Sequence, residues 1–242
     1  MSANVTNFFE FLKEKYAIPF SVKIKLDLPI TEEDLKYKVN LKIRRGDEFG
    51  HKIPNGLHFK GGLEVDNYGW GEDFYLPEMT VDGDFEIQGS FIGDLNDVKI
   101  NSGNRSQHRV AFYDCHNIVT VPSYQFSNIT LSIKGCENFR FTPDNLRVQF
   151  LYLRDLPGLT ELGSVLTDMS INIYDCPKLS SISPETVCQW NCTLDNLPNL
   201  MELPSTLYVA RTLTIKNCGI QKKYTEEELK RKLPNVSIII YE

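Results

Sequence analysis

Ile171-Asn172-Ile173-Tyr174-Asp175-Cys176-Pro177-Lys178-Leu179-Ser180-Ser181-Ile182 is the stretch that decides the fold of this chain. Its large apolar residues alternate at 171 and 173, as they do in a short strand with one face turned inward. Cys176, Leu179 and Ile182 then follow at three-residue steps. The chain turns a corner at Cys176, where a small side chain fits inside and its polar atom can meet backbone groups.

The same spacing recurs along the chain. Cys115, Cys136, Cys176 and Cys218 are 21, 40 and 42 residues apart, and halving the two long intervals lands on Leu156 and Leu197. Three residues before each of these six rungs stand Phe112, Ile133, Leu153, Ile173, Leu194 and Ile215. Two residues earlier stand Val110, Leu131, Leu151, Ile171, Cys192 and Leu213. After the rungs come Ile118, Phe139, Leu159, Leu179 and Leu200, then Val121, Thr142, Leu162, Ile182 and Leu203. Pro122, Pro143, Pro184 and Pro204 suit an extended outer segment, because proline fixes φ and needs no backbone donor. A self-similar period near 20 residues is the mark of a solenoid, whose coils bury their apolar faces only by stacking.

The unit L-x-L-x-x-C-x-x-L-x-x-L-P-x-x-L resembles the leucine-rich repeat, with Cys in place of the usual Asn at the corner. Leu203-Pro204-Ser205-Thr206-Leu207 is similar to the short repeats of bacterial effector proteins and of phage leucine-rich repeat proteins. The match runs from Val110 to Ile220, and weaker copies begin at Ile53-Pro54 and Leu76-Pro77. Residues 95–107 break the repeat and read as a loop. The expected fold is an α+β solenoid dominated by β, with a parallel concave sheet of about eight coils over residues 51–220.

Solenoid ends need covering, since a bare coil exposes apolar side chains and unpaired strand groups. Residues 221–242 are expected to do this with a helix opened by the capping box Thr225 to Glu228, followed by a strand at Val236 to Tyr241. Residues 1–50 are expected to form a cap or a functional appendage: a helix carrying Phe8, Phe9, Leu12 and Tyr16, then a hairpin of two strands at Val22–Leu28 and Tyr37–Ile43.

Composition narrows the function. The 242 residues are 41% hydrophobic and 24% charged, with 26 Lys and Arg against 32 Asp and Glu. A net charge of -6 argues against direct nucleic-acid binding, which needs cations to displace counterions from phosphates. No apolar run nears the roughly 20 residues that cross a bilayer, and no secretory signal pattern is present, so a cytoplasmic location is expected.

Chemistry finds little purchase. Cys188 and Cys192 have C-x3-C spacing without a second pair of ligands for zinc, and the other cysteines fall on the ladder, so all six read as core residues. Asp114-Cys115-His116 places a thiol beside an imidazole, but the thiol is expected to point inward, where burial leaves it unreactive. The ligases among the effector proteins with L-P repeats carry a separate domain with a Cys-x-Asp nucleophile, and this chain has no such motif. Walker, Rossmann, HExxH and GxSxG patterns are also missing, so neither a cofactor nor an enzymatic activity is expected.

The surface remains. Residues between the inward positions should line the sheet in rows. One row reads Glu64, Glu86, Ala111, Ser132, Tyr152, Asn172, Thr193 and Thr214. The next reads Asp66, Gln88, Tyr113, Lys134, Arg154, Tyr174, Asp195 and Lys216. Tyr113, Tyr152, Arg154 and Tyr174 are of the types that anchor protein interfaces, with Lys134 among them. A solvated face with tyrosines covering neighbouring strands is the plainer alternative. Residues 51–100 carry 3 basic and 10 acidic groups, and Glu64, Asp66, Asp82, Asp84 and Glu86, with Trp70 between, suggest docking onto a basic protein surface. The expected role is a protein-binding module, and the phage and effector resemblance implies an inhibitor or modulator of a host enzyme or defence complex. Glycan recognition through the Tyr, Asn and Asp rows is the alternative.

Overall fold

The computed structural model describes residues 21–23, 40–44, 56–59, 61–66, 74–101, 107–125 and 128–242. They belong to two compact units, Met1–Val110 and Ala111–Glu242. The first holds β1 (Ser21–Lys23), β2 (Asn40–Arg44), β3 (Leu57–Phe59), β4 (Leu63–Asp66), β5 (Phe74–Tyr75), β6 (Met79–Val81), β7 (Phe85–Gln88), β8 (Phe91–Ile92) and β9 (Val98–Ile100). β10 (His108–Tyr113) spans the boundary. The second holds β11 (Ile129–Lys134), β12 (Leu146–Arg154), β13 (Glu161–Leu162), β14 (Val165–Tyr174), β15 (Ser181–Ile182), β16 (Val187–Cys188), β17 (Asn191–Asp195), β18 (Tyr208–Lys216), α1 (Glu226–Lys232) and β19 (Val236–Tyr241).

Pairing in both units is parallel. In the second unit one row of inward residues runs Leu131, Leu151, Ile171, Cys192, Leu213 and Ile239, each in register with the next. In the first, the inward residues Leu63 and Phe85 are in register, and Leu41 pairs with Leu63 along the backbone. Parallel neighbours cannot be joined by a tight hairpin, so the chain must travel around a coil before it returns to the sheet. Both units are therefore stacks of parallel-strand coils, about seven turns in all with little helix, close to the number expected from the period.

The ladder positions are the core of the second unit. Leu151, Leu153, Leu156, Leu159 and Leu162 of one coil are all buried, as are their counterparts Ile171, Ile173, Cys176, Leu179 and Ile182 in the next. Burying each side chain of this size contributes about 1.5–3 kcal/mol. The three-residue step after each rung has a local cause. The carbonyls of Cys136, Leu156, Cys176 and Leu197 accept the N–H of the residue three further on, closing a tight turn that brings Phe139, Leu159, Leu179 and Leu200 back inward.

The residue before each rung makes the corner possible. Asp114, Asp155, Asp175, Asn196 and Asn217 have φ between 49° and 56°, and Gly135 has φ 68°. Only Gly, Asn and Asp enter this left-handed region at low cost. Their N–H groups then point along the stack: Asp114 donates to Lys134, Gly135 to Arg154, Asp155 to Tyr174, Asp175 to Asp195 and Asn196 to Lys216, at 2.8–3.2 Å. Each corner is thus bonded to the last strand residue of the following coil.

Several expectations change. β1 and β2 pair in parallel, Ser21 with Asn40, and β2 pairs in parallel with β4, so these strands belong to the stack and do not form a hairpin. Alternation alone does not encode strand direction, and the 24–39 connection is long enough for a coil. Residues 95–107 are not simply a loop. Asp94 caps a 3-10 turn at Leu95–Asp97, and β9 pairs with β6 through Val98 and Ile100. The helix expected at Thr6–Tyr16 lies outside the described residues. α1 and β19 occupy the positions read from the sequence, with the Thr225–Glu228 capping box formed.

Candidate functional site

The sheet of the second unit presents its outward rows in register. Ser132, Tyr152, Asn172, Thr193 and Thr214 stand side by side, and so do Lys134, Arg154, Tyr174, Asp195 and Lys216. A third row, Thr130, Phe150 and Ser170, lies on the same face two residues earlier. A register shift between Val148 and Phe150 turns Phe150 outward, so that Phe150, Tyr152 and Arg154 project together from β12. The Phe150 and Tyr152 rings are stacked, with centroids 6.2 Å apart and planes at 17°. Tyr152 is 39% exposed.

The neighbours of this pair in register are small and uncharged, while charges lie beyond them: Arg147 and Asp168, 3.6 Å apart, near the start of β12 and β14, and a larger group at the other end. The Arg154 Nε lies 3.5 Å from the Asp155 carboxylate and 3.9 Å from that of Asp175. Tyr174 donates its hydroxyl to Asn172 at 3.4 Å, and Asn196 donates its amide to Asp175 at 2.8 Å. Tyr113 is half-buried on β10, next to the Asp114 corner that bonds to the Lys134 carbonyl. The sequence rows omitted Phe150, although its place two residues before Tyr152 puts it on the same face by strand periodicity.

In the first unit the expected acidic residues do not form one free patch. Glu64 and Glu86 are in register on β4 and β7, and Asp66 faces Gln88. Asp82 instead accepts from His58 at 2.7 Å and from the Asn101 amide at 2.8 Å. Asp84 caps the Arg109 N–H at 2.8 Å, and the Arg109 guanidinium pairs with Glu86. Asp82, Asp84 and Glu86 are thus tied to residues of other coils. Trp70 lies outside the described residues.

All six cysteines are free thiols and all are buried. Cys115, Cys136, Cys176 and Cys218 donate to strand carbonyls two residues earlier, at 3.2–3.4 Å, which is how the corner accepts a thiol where other coils have Leu. Hydrogen bonding with Cys136 and burial push the Cys115 thiol far above its ordinary range, and burial pushes Cys176 up to about 12. Burial and this shift favour the neutral thiol of Cys115 over a thiolate paired with the adjacent His116. Among the described residues, no group of three His, Cys, Asp or Glu is placed to hold a metal ion. None of the described helices is long and apolar enough to cross a membrane.

No family model, curated protein or solved structure matches this chain. Its own surface chemistry is what bears on function.

Proposed function

We propose that this chain is a protein-binding module of the leucine-rich repeat kind, which acts by contact and not by catalysis. The observation that carries this reading is the stacked Phe150–Tyr152 pair, set among uncharged Thr130, Ser132, Ser170 and Asn172 and bordered by Lys134, Arg154, Asp155 and Asp175. An aromatic centre depleted of charge, with a charged margin, is the anatomy of a protein interface. Tyr152 and Arg154 serve as the anchors, and Tyr113 and Tyr174 extend the contact along their row. Glu64, Asp66 and Glu86, in rows that also carry Lys42, Arg44 and Gln88, are a second contact of mixed charge. Inhibition or modulation of a host enzyme or defence complex needs no more than such a surface.

The test is affinity capture followed by crosslinking, comparing wild type with Phe150→Ala/Tyr152→Ala and with Arg154→Ala. A partner crosslinked to β12 and lost with the aromatic pair supports the reading, with a fold loss above tenfold expected for a central anchor of about 2 kcal/mol. A partner retained by both variants moves the site elsewhere. Binding to a glycan array that depends on Phe150 and Tyr152, with no protein partner, replaces the protein reading by the glycan one.

A further inference from the structure

Among the described residues β19 is bonded along one edge, to β18. Its sequence, Val236-Ser237-Ile238-Ile239-Ile240-Tyr241, contains no charge, no proline and no glycine, and the one irregularity in its ladder puts the extra residue on β18, between Val209 and Thr212, so the strand from Ile238 to Tyr241 pairs without a break. Ile239 points into the core, while Ile238 and Ile240 are 53% and 41% exposed on the opposite face. Glu242 donates its N–H to Ile215, and Ile215 is in register with Tyr241. In a parallel ladder this turns the backbone groups of 238, 240 and 242 toward β18 and those of 239 and 241 away from it.

We propose that this edge joins two copies of the chain, β19 against β19 in antiparallel orientation about a twofold axis. Centring the axis on Ile239 makes the two Ile239 residues a hydrogen-bonded pair, exchanging both N–H···O=C bonds. Ile238 of each copy then faces Ile240 of the other as a non-hydrogen-bonded pair, the type in which side chains approach most closely. The two exposed isoleucines cover one another, and the uncharged strand brings no like charges together.

The charge on α1 selects a second copy over an unrelated strand. α1 packs against β19 and has Glu226, Glu227 and Glu228 in its first turn and Lys230, Arg231 and Lys232 in its last. Glu226 pairs with Lys230, and Lys232 with Glu202, which leaves the Glu227 and Arg231 side chains facing solvent. A twofold axis normal to the sheet keeps both helices on the same face and runs them antiparallel, so each acidic turn lies toward the partner's basic turn. An element with opposite charges at its two ends is self-complementary under this operation.

The interface is smaller than the standard protein–protein contact, so association in the micromolar range is expected. Sedimentation of the full chain from about 1 to 100 μM, a range spanning that constant, should show conversion from 27.8 kDa to twice that mass. The Ile238→Lys/Ile240→Lys variant should stay at the monomer mass with unchanged circular dichroism. Hydrogen exchange supplies a measure independent of any variant: the Ile239 amide should become at least tenfold more protected across the same concentrations. A wild-type chain that remains monomeric, or Ile239 protection that does not change with concentration, overturns the proposal.

Discussion

The buried hydroxyl of Thr142 accepts the N–H of Gly163 at 2.8 Å, one coil further along the stack. Thr142 occupies an inward position where other coils have Val, Ile or Leu, and this bond explains why a polar residue is tolerated there. Replacing Thr142 by Val keeps the shape and strands a buried N–H, which costs about 1–3 kcal/mol. Thr142→Ser keeps the bond and should cost less. Urea unfolding of the two variants checks the order.

Gly163 is held just as closely. A Cβ on it would meet the Thr142 carbonyl oxygen at 2.5 Å and that of Pro143 at 2.8 Å, both backbone atoms that cannot step aside. Gly163→Ala should therefore be destabilising by about 1–3 kcal/mol, in the range of overpacked sites. Gly135 differs: its obstacle is the Asp114 carboxylate, a side chain that can rotate, so its φ of 68° should dominate the cost of Gly135→Ala. The midpoints of thermal unfolding should then separate the two variants, with Gly163→Ala the lower.

The corner residues make a distinct prediction. Asn196 sits at φ 56°, and Asn196→Val forces a β-branched side chain into the left-handed region at about 1–2 kcal/mol, whereas Asn196→Gly relieves that constraint. Equal unfolding midpoints for the two variants would mean that the corner geometry is not what limits stability.

The buried thiols bring a pH dependence. Burial raises Cys176 from 9.0 to about 12, so its unfolded form loses a proton first as pH rises. The stability that this thiol contributes is complete below pH 9.0 and is lost between there and about 12. Alkaline unfolding should therefore be delayed in Cys176→Ala relative to its own stability at pH 7. In the native wild type, aromatic disulfide reagents should label no thiol until denaturant is added, because all six are buried.

Near α1 the sign is reversed. Hydrogen bonds from Lys223 and Lys232 hold the Glu202 carboxyl below 4.5, so what it contributes is present above that pH and disappears as pH falls through the lowered value. The difference in melting temperature between wild type and Glu202→Gln should shrink on acidification and also in high salt, since the cluster is exposed.

The cysteine ladder, the inward leucine rows and the capping box of α1 could all be read from the sequence, because burial imposes a period on residue type and a cap imposes a fixed spacing. The Asp, Asn and Gly row before the rungs was equally visible as Asp114, Gly135, Asp155, Asp175, Asn196 and Asn217, yet its meaning depends on φ, which no hydrophobic pattern reports. Strand direction at β1 and β2 was hidden for a similar reason, since alternation looks the same in parallel and antiparallel pairs. For the site, the two outward rows of the second unit followed from strand periodicity, and Tyr152, Arg154 and Tyr174 do stand in adjacent coils.

What the sequence determined by itself is the repeat: which side chains point inward and how far apart the coils' equivalent residues lie. Only the tertiary structure decided which polar groups bond to one another. It joined Asp82 to His58 and Asn101, and Arg109 to Asp84 and Glu86, and so tied these acidic residues into contacts between coils. It also turned Phe150 outward at the β12 register shift to stack on Tyr152. The first set joins neighbouring coils, which residue spacing within a single coil does not report; for Phe150, alternation counted back from Tyr152 and Arg154 points outward while alternation counted from Leu146 and Val148 points inward, and only the register shift decides between them.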